Sequence, residues 1–262
     1  MANASYENPV KNKLKNGLKT AGAFLQLTSN ISAEILSRAG FDWLIVDMEH
    51  APGDFTNLLG QLQAMNGSNT VPFVRAPWND AVAIKKILDT GVQGVLIPYV
   101  NTRAEAEAAV AACKYPPAGV RGVAGSPRAA GYGRNAKEYL EKANRETIVL
   151  IAVETPQAVD NLDDILEVSD LDGIFIGPMD LATSMGYLAN PGHEEVQKTI
   201  AAIEEKVLAS DKFLGTIAPS WDKAQACYEK GYQWMILMQD STALAALAAE
   251  TAAKFRESYG DS

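Results

Sequence analysis

A chain of 262 residues, 47% of them hydrophobic, is long enough to bury the core of one α/β barrel or of two smaller domains. Its formal net charge of −9 leaves no basic face, which argues against nucleic acid or an anionic membrane as a partner. Cys113 and Cys227 lie far apart in helix-like segments without a paired-cysteine motif, so we expect structural thiols in a reducing cytoplasm.

The N-terminal stretch and the longest apolar runs indicate where in the cell the protein is located. Residues 1–19 are polar, contain scattered lysines and lack the apolar core of a signal peptide. No apolar run approaches the ~20 residues that a membrane-spanning helix requires. We therefore expect a cytoplasmic protein without a membrane anchor, in which residues 1–19 form an N-terminal extension or helix.

Short apolar runs bounded by turn-forming or charged residues predict eight buried strands. In chain order they cover residues 23–27, 43–47, 71–75, 94–98, 148–153, 173–176, 213–217 and 234–238. A helical pattern follows each strand, and the spacing of about 25 to 35 residues favours a closed (β/α)₈ TIM barrel. A doubly wound open sheet is the alternative. Because no linker or compositional break interrupts the chain, we predict a single domain over residues 1–262.

Two of the predicted strands end in an acidic residue. Glu154 follows the fifth strand, and Asp180 follows the sixth in the turn Gly177-Pro178-Met179-Asp180. The carboxyl ends of parallel strands form the edge at which such proteins bind ligands, so the two carboxylates should meet. Two carboxylates in one mouth repel each other unless a hard divalent cation such as Mg²⁺ or Mn²⁺ lies between them.

Polar residues also follow the second and third strands. Asp47 and His50 are three residues apart, close enough for the carboxylate to orient the imidazole and raise its basicity. Arg75 supplies the fixed cation that an acidic protein needs to hold an anionic substrate or a developing enolate. The first N–H groups of a helix beginning at Gly177 to Asp180 are suited to bind a carboxylate.

Each of these residues also has a structural interpretation. Asp180 is suited to cap the following helix, and Glu154 to stabilise the dipole of a helix that starts at a proline. Arg75 is suited to pair with a neighbouring carboxylate. The second histidine, His193, follows a turn and is expected to cap a surface helix. Four kinds of catalytic group at successive strand ends nevertheless favour a functional site.

A long segment, Tyr115 to Arg134, contains glycines, prolines and three arginines. Segments of this length inside a compact domain are usually functional. We predict that it lies at the mouth of the barrel and that its Arg121 contacts the distal end of the substrate.

Several motifs, taken together, resemble the HpcH/HpaI family of class II pyruvate aldolases, which includes the 4-hydroxy-2-oxoheptanedioate and 2-keto-3-deoxy sugar acid aldolases. The resemblance runs from about residue 20 to about residue 240 and rests on Asp47-Met48-Glu49-His50-Ala51-Pro52, Val74-Arg75, Lys86-Ile87-Leu88-Asp89-Thr90-Gly91, Arg121-Gly122, Glu154-Thr155, Gly177-Pro178-Met179-Asp180-Leu181 and Met185-Gly186.

The resemblance implies a barrel of the phosphoenolpyruvate/pyruvate type with a divalent metal, Mg²⁺, Mn²⁺ or Co²⁺. In that family Glu154 and Asp180 would bind the metal directly, and Asp89 would act through a metal-bound water. The metal would chelate the carboxylate and keto oxygen of pyruvate. The backbone of Gly177, Pro178, Met179 and Asp180 would also hold the carboxylate.

The resemblance further implies that Arg75 stabilises the enolate and that His50, oriented by Asp47, manages the proton of the aldehyde-derived hydroxyl. Three departures put the aldehyde acceptor in doubt: Ala152 replaces a common Gln, Phe24 an aromatic that is often Trp, and Gln239-Asp240-Ser241 a smaller motif. Such families commonly form homohexamers with exchanged C-terminal helices, so we expect a homo-oligomer, a trimer or hexamer; ordinary barrel packing also explains the helix at 241–253.

The function implied is reversible retro-aldol cleavage of a 4-hydroxy-2-oxo acid, of the 2-keto-3-deoxy sugar acid or diacid type, to pyruvate and an aldehyde. Two alternatives stay open. An acyl-CoA lyase of the citrate lyase or malyl-CoA lyase type would bind CoA, although the sequence shows no evident basic CoA patch. A non-catalytic metabolite-binding barrel would bind pyruvate without exchanging its methyl protons.

Overall fold

The computed structural model describes residues 6–260, which form eight parallel strands closed into a barrel in the order β1 to β8. Each strand pairs with its neighbours in the chain, and β1 closes the ring against β8. This confirms the predicted closed barrel over the open sheet. The strands are β1 Thr20–Leu25, β2 Trp43–Asp47, β3 Val71–Arg75, β4 Gly94–Ile97, β5 Ile148–Val153, β6 Gly173–Ile176, β7 Phe213–Ile217 and β8 Trp234–Gln239.

Helices follow the strands and cover the outside of the barrel. Side-chain caps begin several of them, among them Asp54, Asp80 and Thr102. The helices are α1 Pro9–Lys15, α2 Asn30–Ser37, α3 Phe55–Ala64, α4 Ala81–Asp89, α5 Arg103–Cys113, α6 Ala136–Glu146, α7 Pro156–Asp160, α8 Leu162–Leu166, α9 Pro178–Ser184, α10 Glu194–Leu208, α11 Trp221–Lys230 and α12 Asp240–Tyr259.

The barrel interior is filled by aromatic and aliphatic side chains. Trp43 and Trp234 stack face to face with ring centroids 3.8 Å apart, and Phe73 and Phe175 pack around them. A Cβ atom on Gly22 would stand 2.1 Å from the Trp43 ring, so only glycine fits there. Successive strand residues point to opposite faces, so Asp47 and Arg75 share the inward direction of Trp43 and Phe73.

The short helix α1 closes the amino-terminal end of the barrel. Val10 and Leu14 pack against the interior cluster that contains Trp43 and Trp234. Asn8 caps α1 with its side chain and donates its backbone N–H to Glu146 at 2.9 Å. The predicted segment 1–19 is therefore a helix in part, over Pro9–Lys15.

The last helix, α12, is exposed over nearly its whole length, and Asp240 is its one residue described as buried. The two cysteines are free thiols, with Cys113 buried and Cys227 half-buried. Within residues 6–260, no helix combines the length and apolar character needed to cross a membrane.

Candidate active site

The inward-pointing residues at the carboxyl ends of β2, β3 and β5 meet at the mouth of the barrel. Asp47 and Arg75 end their strands at paired positions in the sheet, and Glu154 directly follows β5. Asp180 lies in the first turn of α9, directly beyond β6. These four predicted residues therefore lie together, as expected from the rule that the carboxyl ends of parallel strands meet at one edge of the sheet (the strand-end rule).

Asp47 and Arg75 form a bidentate ion pair. Arg75 donates Nε–H to Asp47 Oδ1 at 3.0 Å and Nη2–H to Oδ2 at 2.7 Å. Its Nη1 lies 3.1 Å from Glu49 Oε2. Burial alone would raise the pKa of Asp47, but the hydrogen bonds and charge of Arg75 outweigh it and hold that pKa below its ordinary value.

These contacts engage three of the five guanidinium N–H groups of Arg75 and leave two for a ligand. The guanidinium carbon also lies 4.7 Å from the ring centroid of Phe24, which supports it from the first strand. Arg75 is therefore a fixed cation at the mouth, as predicted from the sequence.

Gln26 is a polar contact of this group that the sequence analysis missed. Its Nε2–H donates to Asp47 Oδ2 at 2.9 Å, and its Oε1 accepts from the Ser241 hydroxyl at 3.0 Å. Asp240 accepts the backbone N–H of Gln26 at 2.7 Å. The residue directly follows β1, so the rule that singled out the other strand ends applied here as well.

Glu154 is buried next to other acidic residues. Its Oε1 accepts the backbone N–H of Tyr99 at 2.8 Å. Burial, then the charges of Asp180 and Glu49, raise the pKa of Glu154 to about 7 against the pull of that hydrogen bond and of Arg75. A Cβ on Gly177 would stand 2.5 Å from Glu154 Oε2, so glycine leaves room for the carboxylate.

This arrangement fits a divalent cation, because hard carboxylate oxygens that repel each other are the ligands such ions take. Among residues 6–260, no group of three or more His, Cys, Asp or Glu side chains is placed to hold a metal. Glu154 and Asp180 are the two carboxylates suited to supply part of the oxygen ligands of such an ion.

The turn before Asp180 leaves backbone donors unused by its helix. The first bond of α9 runs from Leu181 N–H to Gly177 O at 2.9 Å, so the N–H groups of Met179 and Asp180 lie outside the helical ladder. Pro178 has no N–H to offer.

His50 lies at the mouth but is not oriented by Asp47, contrary to the prediction. Asp47 Oδ1 accepts the backbone N–H of His50 at 3.3 Å, while both carboxylate oxygens are taken up by Arg75. The imidazole is 59% exposed, and its Nε2 lies 3.7 Å from Glu49 Oε2. The spacing of three residues therefore places the backbone N–H of His50, and not its imidazole ring, on the Asp47 carboxylate.

Asp89 and Arg121 lie at the opposite end of the barrel from the site within one chain. Asp89 ends α4, which runs back from the mouth toward the start of β4. Arg121 is wholly buried and donates Nη2–H to Asp89 at 2.7 Å and to the Tyr139 hydroxyl at 2.8 Å. The prediction that Arg121 lies on a mouth-side loop is wrong, because residues 114–135 follow a helix, not a strand.

His193 caps the surface helix α10, as the sequence predicts. Its Nδ1 accepts the backbone N–H of Glu195 at 3.2 Å, and its ring stacks on Tyr187 with centroids 3.7 Å apart.

Comparisons with known proteins agree with this geometry. The family described as HpcH/HpaI aldolase/citrate lyase matches residues 20–246. The chain is 43% identical to a 4-hydroxy-2-oxo-heptane-1,7-dioate aldolase of Escherichia coli (strain SE11) over 249 residues, 95% of each protein.

Two solved structures are similar over nearly their whole length. An HpcH/HpaI aldolase/citrate lyase family protein from Burkholderia cenocepacia J2315 shares 32% identity at a TM-score of 0.91, covering 95% of this chain and 99% of the other. An HpcH/HpaI aldolase from Desulfitobacterium hafniense DCB-2 shares 28% identity at a TM-score of 0.87, covering 94% and 96%.

Proposed function

Because the chain belongs to the HpcH/HpaI aldolase/citrate lyase family, we propose that it is a carbon–carbon lyase that cleaves a 4-hydroxy-2-oxo acid reversibly to pyruvate and an aldehyde. The observation that carries this proposal is the pair Glu154 and Asp180 facing the fixed cation Arg75 in one mouth. An acyl-CoA lyase or a binding-only barrel would use the same fold, and each differs in a measurable property given below.

Glu154 and Asp180 would hold the divalent cation, Mg²⁺, Mn²⁺ or Co²⁺. Such an ion, when bound, supplies a Lewis acid that favours the enolate form of a 2-oxo acid. The free N–H groups of Met179 and Asp180 are suited to bind the substrate carboxylate, beside the two carboxylates. Binding of the carboxylate at these N–H groups would orient the oxo acid with its reacting carbons toward Arg75.

Arg75 stabilises the negative charge that develops on the 2-oxo oxygen. Cleavage breaks the C3–C4 bond, and its electron pair forms the enolate of pyruvate while the aldehyde carbonyl forms at C4. The two unused N–H groups of Arg75 can donate to the 2-oxo oxygen. The bidentate pair with Asp47 keeps the guanidinium group from rotating. A proton then adds to C3 and completes pyruvate.

His50 is the residue at the mouth suited to take the proton from the 4-hydroxyl. Its ring is exposed, and its Nε2 lies 3.7 Å from Glu49 Oε2. The same residue can return a proton in the aldol direction. The carboxylate that lies beside this ring is Glu49, whereas Asp47 accepts only the backbone N–H of His50.

We further propose a cytoplasmic homo-oligomer, a trimer or hexamer. α12 exposes Leu244, Leu247, Phe255 and Tyr259 in one element with few contacts to its own barrel. Apolar side chains exposed in such a row mark a protein interface.

The test is deuterium exchange of the pyruvate methyl group, followed by NMR on EDTA-treated protein with and without Mg²⁺, Mn²⁺ or Co²⁺. We expect metal-dependent exchange that is lost in Glu154→Ala and weakened at least tenfold in Arg75→Ala. The matched control is Arg103→Ala, since Arg103 pairs with Glu107 and Glu167 on the outer surface.

Folded protein that exchanges no methyl protons with any of these metals would sink the aldolase proposal. Tight CoA binding in that case would favour the acyl-CoA lyase, and pyruvate binding without exchange would favour the binding-only barrel.

A further inference from the structure

Two aromatic side chains form a wall beside the carboxylates at the mouth. Trp78 lies in the segment after β3 and Tyr99 in the segment after β4, and their rings stack with centroids 5.8 Å apart at an interplanar angle of 27°. Trp78 is 55% exposed although it is a large apolar side chain. An exposed, stacked pair of this kind offers a flat apolar face to a ligand.

Tyr99 is tied directly to the candidate site. Its backbone N–H binds Glu154, and its carbonyl accepts Asn101 Nδ2–H at 3.0 Å. Its φ of 53° lies in the left-handed region, which a tyrosine adopts only when its surroundings hold it there. Burial, together with the nearby charges of Asp180 and Glu154, raises the pKa of the Tyr99 phenol. The wall is therefore fixed against the pyruvate half of the site.

The mouth offers no free cation for a second acidic group on the substrate. In the described part of the chain, the segments that lead from each strand into the next helix contain no lysine or arginine. Arg75, at the end of β3, is bound to Asp47 and Glu49. Arg103, at the start of α5, pairs with Glu107 on the same helix and with Glu167, which follows α8. Within one chain, a distal carboxylate at this mouth would have acidic neighbours, Glu49 and Asp180, and no free cation.

We propose that Trp78 and Tyr99 form the acceptor subsite and that the aldehyde half of the substrate is uncharged with an apolar, preferably aromatic, body. The inference rests on the proposed aldolase function. It departs from the relatives named above, whose name describes a substrate with a carboxylate at each end.

The test compares three acceptors in the aldol direction with pyruvate and Mn²⁺: 3-phenylpropanal, propanal and succinic semialdehyde. We expect kcat/KM for 3-phenylpropanal to exceed that for succinic semialdehyde at least tenfold. In Trp78→Ala the ratio of kcat/KM for 3-phenylpropanal over propanal should fall about tenfold, and Trp78→Phe should restore most of it, since stacking needs only an aromatic face. Trp221→Ala, which removes a tryptophan that is 63% exposed and outside this wall, should keep the wild-type ratio.

A binding measurement separates this proposal from catalysis. In isothermal titration calorimetry, 3-phenyl-1-propanol should bind the wild-type protein and bind Trp78→Ala at least tenfold more weakly. Preference for succinic semialdehyde, or an unchanged acceptor ratio in Trp78→Ala, would overturn the acceptor subsite while leaving the aldolase proposal intact. Absence of pyruvate methyl exchange in the wild type would instead overturn the aldolase function itself.

Discussion

Glu154 carries a charge that opposes folding when no cation is present. It is 4% exposed, and Asp180 and Glu49 lie near enough to raise its pKa beyond what burial alone does. Residues of this kind are common at functional sites, because binding chemistry and stability place different demands on one position.

Replacing Glu154 by Gln should therefore stabilise the metal-free protein and abolish its metal-dependent exchange. The amide keeps an acceptor for the Tyr99 N–H and removes the repulsion from Asp180. We expect a gain of roughly 1 kcal/mol, a rise in Tm of about 2–4 °C for a chain of this size, in EDTA. Differential scanning calorimetry measures it.

Glu146→Gln is the matched control. Glu146 is also buried, but it accepts the Asn8 N–H and pairs with Arg145, and these outweigh burial and lower its pKa. Its amide variant should lose stability. A Glu154→Gln variant that melts below the wild type in EDTA would contradict the account of strain at this position.

Local sequence patterns specify most of the strands and caps. β2, β3, β5, β6 and β7 have the predicted bounds, because each is an apolar run that ends at, or within two residues of, a charge, a glycine or a proline. α1 could be predicted only as one of two options. Its helix depends on Asn8 and on contacts with Glu146, 138 residues away, which no local pattern shows.

The residues of the candidate site likewise separate into those that a local pattern predicts and those that it does not. The strand-end rule finds Asp47, Arg75, Glu154 and Asp180, because strand direction alone places them. It does not apply to Asp89, which ends α4 and entered the site through the resemblance, or to Arg121, which follows α5 and was placed at the mouth because its loop is long. In a barrel, segments that follow helices return to the amino-terminal end, so element order already assigned these two residues to that end.

The contribution of α1 to stability is testable through Leu14. This side chain is 1% exposed and packs on the aromatic interior of the barrel. Leu14→Ala should lower the free energy of unfolding by about 2–4 kcal/mol, as judged by urea denaturation. Leu18→Ala, at a leucine that is 53% exposed, should change it by less than about 0.5 kcal/mol. Equal losses in both variants would mean that α1 does not seal the barrel.

The molecule as a whole exposes one long helix with an apolar row, and this predicts self-association. Leu247→Glu places a charge where a leucine is 63% exposed and should shift the protein to a smaller species in size-exclusion chromatography with light scattering. Leu188→Glu, at an even more exposed leucine outside α12, should leave the mass unchanged. A monomeric wild-type protein would contradict the proposed trimer or hexamer.

In the described part of the chain, α1 closes the barrel beneath the interior tryptophans, so ligands reach the site through the mouth at the carboxyl ends of the strands. Whatever is seated deepest, against Glu154 and Arg75, has to leave after whatever lies nearer Trp78. Cleavage should therefore release the aldehyde first and pyruvate last. In steady-state kinetics, pyruvate should inhibit competitively with the cleaved acid while the aldehyde inhibits noncompetitively; the reverse pattern would mean that the order of departure is set by something other than depth.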